Sequence, residues 1–203
     1  MILDEFETDA LGELFNVGLN RAAASLSEIT SQRIVVEMPR LVVCPIEDIE
    51  ASLAELVGGE LATVHQGFGG AVAGDAVLLL EQNDAAALTS LMTAGEAALG
   101  GALDESAREV LAEIGNIVLG ACLSGFGDML QRPVSFSVPR IHIESLKGIL
   151  RSLIVVDSDE VQYAVIAATQ FRLSELAVEG YLIVAVGVQS LERISHALSD
   201  RIS

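Results

Sequence analysis

The spacing of apolar residues predicts two long amphipathic helices, one near the start of the chain and one near its middle. At 100° per residue they cover about residues 7–28 and 104–127. Apolar side chains gather on one face of each helix, and we expect these faces to be buried and the opposite faces exposed. The apolar positions are Leu11, Leu14, Phe15, Gly18, Ala22, Leu26 and Ile29 in the first helix, and Leu111, Ile114, Gly115, Val118, Cys122 and Phe126 in the second.

After each long helix the pattern predicts the same series of shorter elements. β-Branched residues predict a short strand ended by a proline, and a short helix, two paired strands and a closing helix follow. The Gly69-Gly70 dipeptide predicts the hairpin turn in the first half, and a longer connection joins the paired strands of the second half. The predicted ranges are 34–38, 47–56, 61–68, 71–80 and 83–93 in the first half, and 134–138, 145–154, 161–169, 179–187 and 189–199 in the second.

The two series are related by an internal repeat with an offset of 100 residues. Glu13-Leu-Phe-Asn16 recurs as Glu113-Ile-Gly-Asn116, and a proline stands 23 positions after each asparagine. The sequence therefore predicts an α/β (α+β) fold with antiparallel strands, two long exposed helices and pseudo-two-fold symmetry. We expect one domain, residues 1–203, built of two repeats at about 1–100 and 101–203 that are joined near residues 95–101.

Polar residues form a narrow stripe on the outer face of each long helix. Glutamate and asparagine three positions apart are neighbours on a helix surface, so each Glu-x-x-Asn pair projects side by side. An ordinary solvated face would explain one such pair. Asparagine is a poor residue for a helix interior, however, and the pair occurs in both copies, which suggests a function. The stripes contain Asp9, Glu13 and Asn16, and Glu109, Glu113 and Asn116.

The net charge of the chain excludes some classes of binding partner. It has 29 acidic and 11 basic residues, a net charge of −18 that repels nucleic acid and anionic lipid. Two cysteines 78 residues apart and three scattered histidines predict no metal site. No apolar run reaches the roughly 18 residues of a membrane-spanning helix. A basic leader region is also absent, and we expect a cytoplasmic protein without membrane insertion.

The two motifs resemble those of the CheC/CheX/FliY phosphatases of chemotaxis. That family carries aspartate or serine, then glutamate, asparagine and proline, separated by three, two and 22 residues. Asp9, Glu13, Asn16 and Pro39 match this pattern at every position. The second copy, Glu109, Glu113, Asn116 and Pro139, keeps the spacing but has glutamate at the first position.

The resemblance implies a phosphatase that hydrolyses the aspartyl-phosphate of the response regulator CheY. Asn16 and Asn116 would orient the attacking water, and Glu13 and Glu113 would contact the receiver's lysine. Asp9 would be a docking or capping residue, and Glu109 would occupy the docking position of the second copy. The chain would bind no cofactor, because the CheY receiver domain supplies Mg²⁺. CheD is a further partner, and a non-catalytic adaptor that binds CheD or CheY is the alternative.

Overall fold

The computed structural model describes residues 3–54, 57–93, 103–155, 161–173 and 176–202. The predicted joint at residues 95–101 lies outside this part of the chain. The described residues form a mixed α/β fold. Its helices are α1 (Glu5–Thr30), α2 (Ile49–Ala54, after a 3₁₀ turn at Ile46–Asp48), α3 (Gln82–Met92), α4 (Glu105–Leu130), α5 (Leu146–Val155) and α6 (Val188–Ile202). Its strands are β1 (Ile34–Pro45), β2 (Leu61–Gly70), β3 (Gly74–Glu81), β4 (Val134–Phe136), β5 (Arg140–Glu144), β6 (Val161–Leu173) and β7 (Leu176–Gly187).

The seven strands form one antiparallel sheet. Its order is β1-β6-β7-β3-β2-β4, and β5 pairs with β2 alongside β4. The order is symmetric about the centre of the sheet if the equivalent strands of the two halves are exchanged. In that exchange β1 is equivalent to β4 and β5, β2 to β6, and β3 to β7. At the centre Leu78 pairs with Leu182. A duplicated chain would produce such an order, and the duplication itself stays a prediction.

The central strands of the sheet are buried on both faces because helices cover each side. Alternate residues of a strand point to opposite faces, so β2 directs Ala62, Val64 and Phe68 into a large core shared with α1 and α4. On the other face Leu61 joins a smaller core with α2 and α5. The long helices therefore form the outer layer over one face of the sheet.

Helices α1 and α4 pack directly against each other. A Cβ added at Gly18 would lie 2.6 Å from the Cα of Cys122, so only glycine permits this approach of the two backbones. The rings of Phe15 and Phe126 meet edge to face with centroids 6.0 Å apart. The predicted buried faces are thus in place except at Ile29, which is 63% exposed. Burial in α1 ends at Leu26, and the last turn extends beyond the core.

The predicted end of the first strand at Pro39 is wrong. Strand β1 continues through Pro39 to Pro45, and its pairing with β6 shifts register between Glu37 and Arg40. An irregularity on an edge strand accommodates a proline, which has no N–H to donate to the ladder. In the second half the corresponding residues, 137–139, leave the ladder between β4 and β5.

Two predicted connections are also placed differently. Strand β2 includes Gly69 and Gly70, and the turn of the hairpin lies at residues 71–73. Gly70 has a φ of 132°, and a Cβ there would lie 2.5 Å from the carbonyl oxygen of Pro133. Glycine is therefore required both by this positive φ and by the close approach of the adjacent chain. The longer connection expected in the second half is wrong, because β6 extends to Leu173 and β7 begins at Leu176.

Candidate functional site

Side-chain caps fix where the two motif-bearing helices begin. Asp4 and Glu7 form a capping box, in which Asp4 Oδ1 accepts from the Glu7 amide at 2.8 Å and Glu7 Oε2 accepts from the Asp4 amide at 2.9 Å. Asp104 Oδ1 accepts from the Ala107 amide at 2.8 Å. The cap of α1 is therefore Asp4, and the suggestion that Asp9 caps this helix is wrong.

All six predicted site residues lie on the outer surface of the helix pair. Spacings of three and four positions keep each set on one helical face. The residues are Asp9, Glu13 and Asn16 on α1, and Glu109, Glu113 and Asn116 on α4; all are exposed except Asn16, which is half-buried. The structure brings the members of each set together on a convex surface.

The two sets form separate sites because the helices run antiparallel. A Cβ at Gly125 would contact Leu14, and one at Gly18 would contact Cys122. Later positions in α1 therefore lie beside earlier positions in α4. Asn16 consequently lies beside the part of α4 about eight residues beyond Asn116, or about 12 Å along the axis at 1.5 Å per residue. A single composite site that uses both asparagines is therefore not formed.

Asn116 makes a contact with the sheet that the sequence analysis did not predict. Nε2 of Gln66, on β2, donates to Asn116 Oδ1 at 3.0 Å and to the backbone oxygen of Ser137 at 3.0 Å. Gln66 is only 2% exposed. One feature of the sequence could have indicated this contact: Gln66 is a polar residue between Val64 and Phe68, at positions of the strand that all point toward α4.

Asn16 has no equivalent contact. Arg40 and Arg140, related by the repeat, pair with Ala168 on β6 and His65 on β2, so the position that corresponds to Gln66 is Thr169. Thr169 Oγ1 donates to the backbone oxygen of Gly180 at 2.9 Å. Within the described ranges the Asn16 carboxamide forms no hydrogen bond. The two sites thus share a motif, but in the part of the chain that the structure describes a hydrogen bond from the sheet holds the asparagine only in the second one.

His65, the half-buried histidine of β2, lies on the opposite face of the sheet. Burial, and secondarily the neighbouring His142, lowers the pKa of His65 to about 4, so the ring is neutral at pH 7. Its Nε2 lies 3.0 Å from Thr63 Oγ1 and 3.9 Å from Glu144 Oε1. No group of three or more His, Cys, Asp or Glu side chains among the described residues could hold a metal ion.

Helix α4 is long and apolar enough to cross a membrane. Half of its most apolar stretch is buried inside the protein, where α4 packs on α1 and on β2. The core helix of a globular protein has the same composition. The apolar residues of α4 are therefore explained by the core.

The chain resembles curated proteins in sequence, among them a FliY and a CheC1, and no protein-family profile matches it. The flagellar motor switch phosphatase FliY of Bacillus subtilis is 27% identical over 145 residues, which cover 70% of this chain and 36% of that protein. CheC1 of Halobacterium salinarum, named as a CheY-P phosphatase, is 23% identical over 142 residues, which cover 69% of this chain and 70% of that protein. The chain thus spans about a third of the first relative.

Solved structures share the fold. FliY of Thermotoga maritima superposes with a TM-score of 0.79 at 19% identity, covering 99% of this chain and 100% of that one. The FliM middle domain from H. pylori gives a TM-score of 0.68 at 10% identity, covering 96% and 99%. Together with the sequence matches, these structures confirm the resemblance to CheC-type chemotaxis proteins.

Proposed function

We propose that this protein is a phosphatase that hydrolyses the aspartyl-phosphate of the chemotaxis response regulator CheY. The observation that carries the proposal is the presence of two Glu-x-x-Asn pairs on the outer surface of the packed helices α1 and α4. The similarity to the B. subtilis and H. salinarum relatives, which are named as a motor switch phosphatase and a CheY-P phosphatase, supports it.

The shape of the sites favours a protein substrate. Small molecules bind in concave pockets that bury most of their surface. Each Glu-x-x-Asn pair instead lies on a convex helix, which fits into a cleft that the substrate provides. The active site of a receiver domain, with its phosphorylated aspartate, is such a cleft.

The chemistry needs few groups from this chain. Phosphoryl transfer depends mainly on positioning and on charge stabilisation around the phosphorus. A carboxamide both donates and accepts hydrogen bonds, so Asn16 or Asn116 would hold the attacking water in line with the bond to the leaving carboxylate. Glu13 or Glu113 would bind the receiver's lysine. The Mg²⁺ that neutralises the phosphoryl oxygens would come with the receiver domain.

The charge of the chain makes the glutamate contact important. A net charge of −18 repels an acidic phosphorylated cleft, so docking needs a favourable contact at short range. The lysine contact of Glu13 and Glu113 supplies it. Asp9 and Glu109 lie one turn earlier on the same faces and would border the docked receiver. The longer side chain of Glu109 would alter the fit at the second site.

The same proposal includes a cytoplasmic location and CheD as a second partner. The alternative is an adaptor that binds CheY or CheD without hydrolysis, and the similarity of the fold to the FliM middle domain favours it. An adaptor has no need of the asparagine carboxamide. Substitution of the asparagines therefore distinguishes the two functions.

The test is phosphate release from phosphorylated CheY in Mg²⁺, with wild type, Asn16→Ala, Asn116→Ala and the double variant. Asn20→Ala is the matched control, since Asn20 is exposed one turn after Asn16 on α1. We expect acceleration by wild type and by the control, and none by the double variant. Each single variant then reports the site that remains. Wild type that binds phosphorylated CheY without accelerating phosphate release would establish the adaptor instead.

A further inference from the structure

The side chain of Gln66 is a buried polar group aimed at the second Glu-x-x-Asn site. It lies on the face of β2 that meets α4, between Val64 and Phe68, which are both buried. Its Nε2 donates to Asn116 Oδ1 and to the Ser137 carbonyl, each at 3.0 Å. A buried amide in an apolar layer is costly unless it is hydrogen-bonded, so these two bonds define the position of the side chain.

The backbone of Ser137 fixes which way both amides face. A carbonyl oxygen only accepts hydrogen bonds, so Gln66 must turn its NH₂ group toward it, and the second hydrogen of that group reaches Asn116. Ser137 is itself held to β2, because its amide donates to the Gly67 oxygen and its Oγ accepts from the Gly67 amide, each at 2.9 Å. Asn116 is thereby held with Oδ1 toward the sheet.

This orientation leaves the groups that the proposed reaction requires. One lone pair of Asn116 Oδ1 accepts from Gln66, and the other remains to accept from a water molecule. Among the described residues Asn116 Nδ2 donates to none, and so it remains for a phosphoryl oxygen. Holding a catalytic amide before the substrate arrives avoids the entropic cost of ordering it during the reaction.

One polar atom of the Gln66 side chain is energetically unfavourable where it lies. Its Oε1 is buried without a hydrogen-bond partner within the described residues. An unsatisfied buried oxygen costs on the order of 1–3 kcal/mol, so an apolar residue of similar shape would suit the core as well or better. The presence of a glutamine at this position is therefore better explained by its hydrogen bond to Asn116 than by a contribution to the stability of the fold.

We infer that Gln66 is a positioning residue that orients Asn116 for catalysis, and that Asn16 lacks this support, because Thr169 stands at the position that corresponds to Gln66. The inference rests on the proposed phosphatase function. It makes the two sites unequal, with the second one preorganised before the substrate binds. Glu113, which would bind the receiver's lysine, does not take part in this contact.

The test leaves one site intact at a time and replaces the polar residue of the sheet that corresponds to it. In an Asn16→Ala background, Gln66→Met keeps the volume of the side chain and removes the donor. We expect kcat for phosphorylated CheY to fall about tenfold with KM unchanged, because docking through Glu113 is retained. In an Asn116→Ala background, Thr169→Val is the matched control and should leave kcat unchanged. Gln66→Met should be at least as stable as its parent, which separates the effect from misfolding.

A second measurement does not depend on activity. ¹⁵N relaxation of the Asn116 side-chain amide should show an ordered group in the parent and a mobile one in Gln66→Met. An amide equally ordered in both would overturn the contact. A mobile amide with unchanged kcat would overturn its role in catalysis. If the parent failed to accelerate phosphate release while Gln66→Met still loosened Asn116, the catalytic role of the contact would fail. Only a wild-type protein that also failed to accelerate phosphate release would sink the phosphatase proposal.

Discussion

Gly115 allows α4 to contact the sheet, and its replacement by alanine is the most direct test of the packing beneath the second site. A Cβ at this position would lie 2.5, 2.7 and 2.8 Å from Cγ1, Cβ and Cγ2 of Val64. Val64 is fully buried on β2, between β3 and β5. Rotation of a β-branched side chain only exchanges its methyl groups and does not move its Cβ, so the backbone must shift.

Two opposing terms determine the size of the effect. Alanine is favoured over glycine in a helix by about 1 kcal/mol. Forcing one extra carbon into a packed core costs about 1–3 kcal/mol, and the three close atoms place Gly115 at the upper end of that range. We therefore expect Gly115→Ala to lower the free energy of unfolding by about 2 kcal/mol. Gly120→Ala, five positions later with nothing within 4 Å, should raise it by about 1 kcal/mol.

Urea unfolding of the two variants beside wild type measures both changes. The midpoint should shift in opposite directions for Gly115→Ala and Gly120→Ala at an unchanged m-value. Val64→Ala removes the two close methyl groups and leaves the Cβ at 2.7 Å, so the double variant with Gly115→Ala should be more stable than the sum of the two losses by about 1 kcal/mol. A Gly115→Ala protein as stable as wild type would show that α4 does not lie this close to β2, and the reasoning would fail.

Two further predictions concern titratable groups. Hydrogen bonds from Ser195 and others lower the pKa of Glu7 from its ordinary value of 4.5, so its carboxylate stabilises the fold above that pH and the contribution is lost as the pH falls through the lowered value. Glu7→Gln should therefore cost about 1 kcal/mol at pH 7, less than a buried charged bond because the site is solvated, and progressively less as the pH falls below 4.5, as measured by urea unfolding over that range; a loss that does not change with pH would show that charge is not the cause. Burial raises the pKa of Cys122 to about 12 and also raises that of Cys44, so neither thiol should react quickly with a disulfide reagent at pH 8, whereas both should react in urea. Rapid reaction of the native protein would contradict the burial of these two residues.

The sequence predicted the elements that local periodicity controls. The 3.6-residue period of apolar side chains placed α1 and α4 and the faces they bury, except where α1 extends beyond the core at Ile29. Alternation and β-branched residues placed β2, β3, β6 and β7 and their pairing. These features depend on residues that are neighbours along one element, so a pattern within a few turns or strands is sufficient to indicate them.

Boundaries that depend on a neighbouring strand were not predicted. Pro39 stops a regular ladder, yet β1 passes through it because pairing with β6 tolerates a shift of register at an edge. Gly70 resembled a turn residue, but it lies at the end of β2, where its positive φ and the adjacent chain at Pro133 both exclude a Cβ. Proline and glycine mark strain in the backbone, and the partner that relieves or imposes the strain is distant in the sequence.

The sequence by itself determined that two Glu-x-x-Asn pairs lie on outer helix faces, since a helix places i and i+3 side by side regardless of the rest of the fold. Only the tertiary structure decided that the pairs are separated along the antiparallel helices and that they differ. Gln66 is 50 residues from Asn116 and 71 from Ser137, and β2 brings the three together by pairing with strands of the other half. Long-range pairing thus gives two identical local motifs different surroundings.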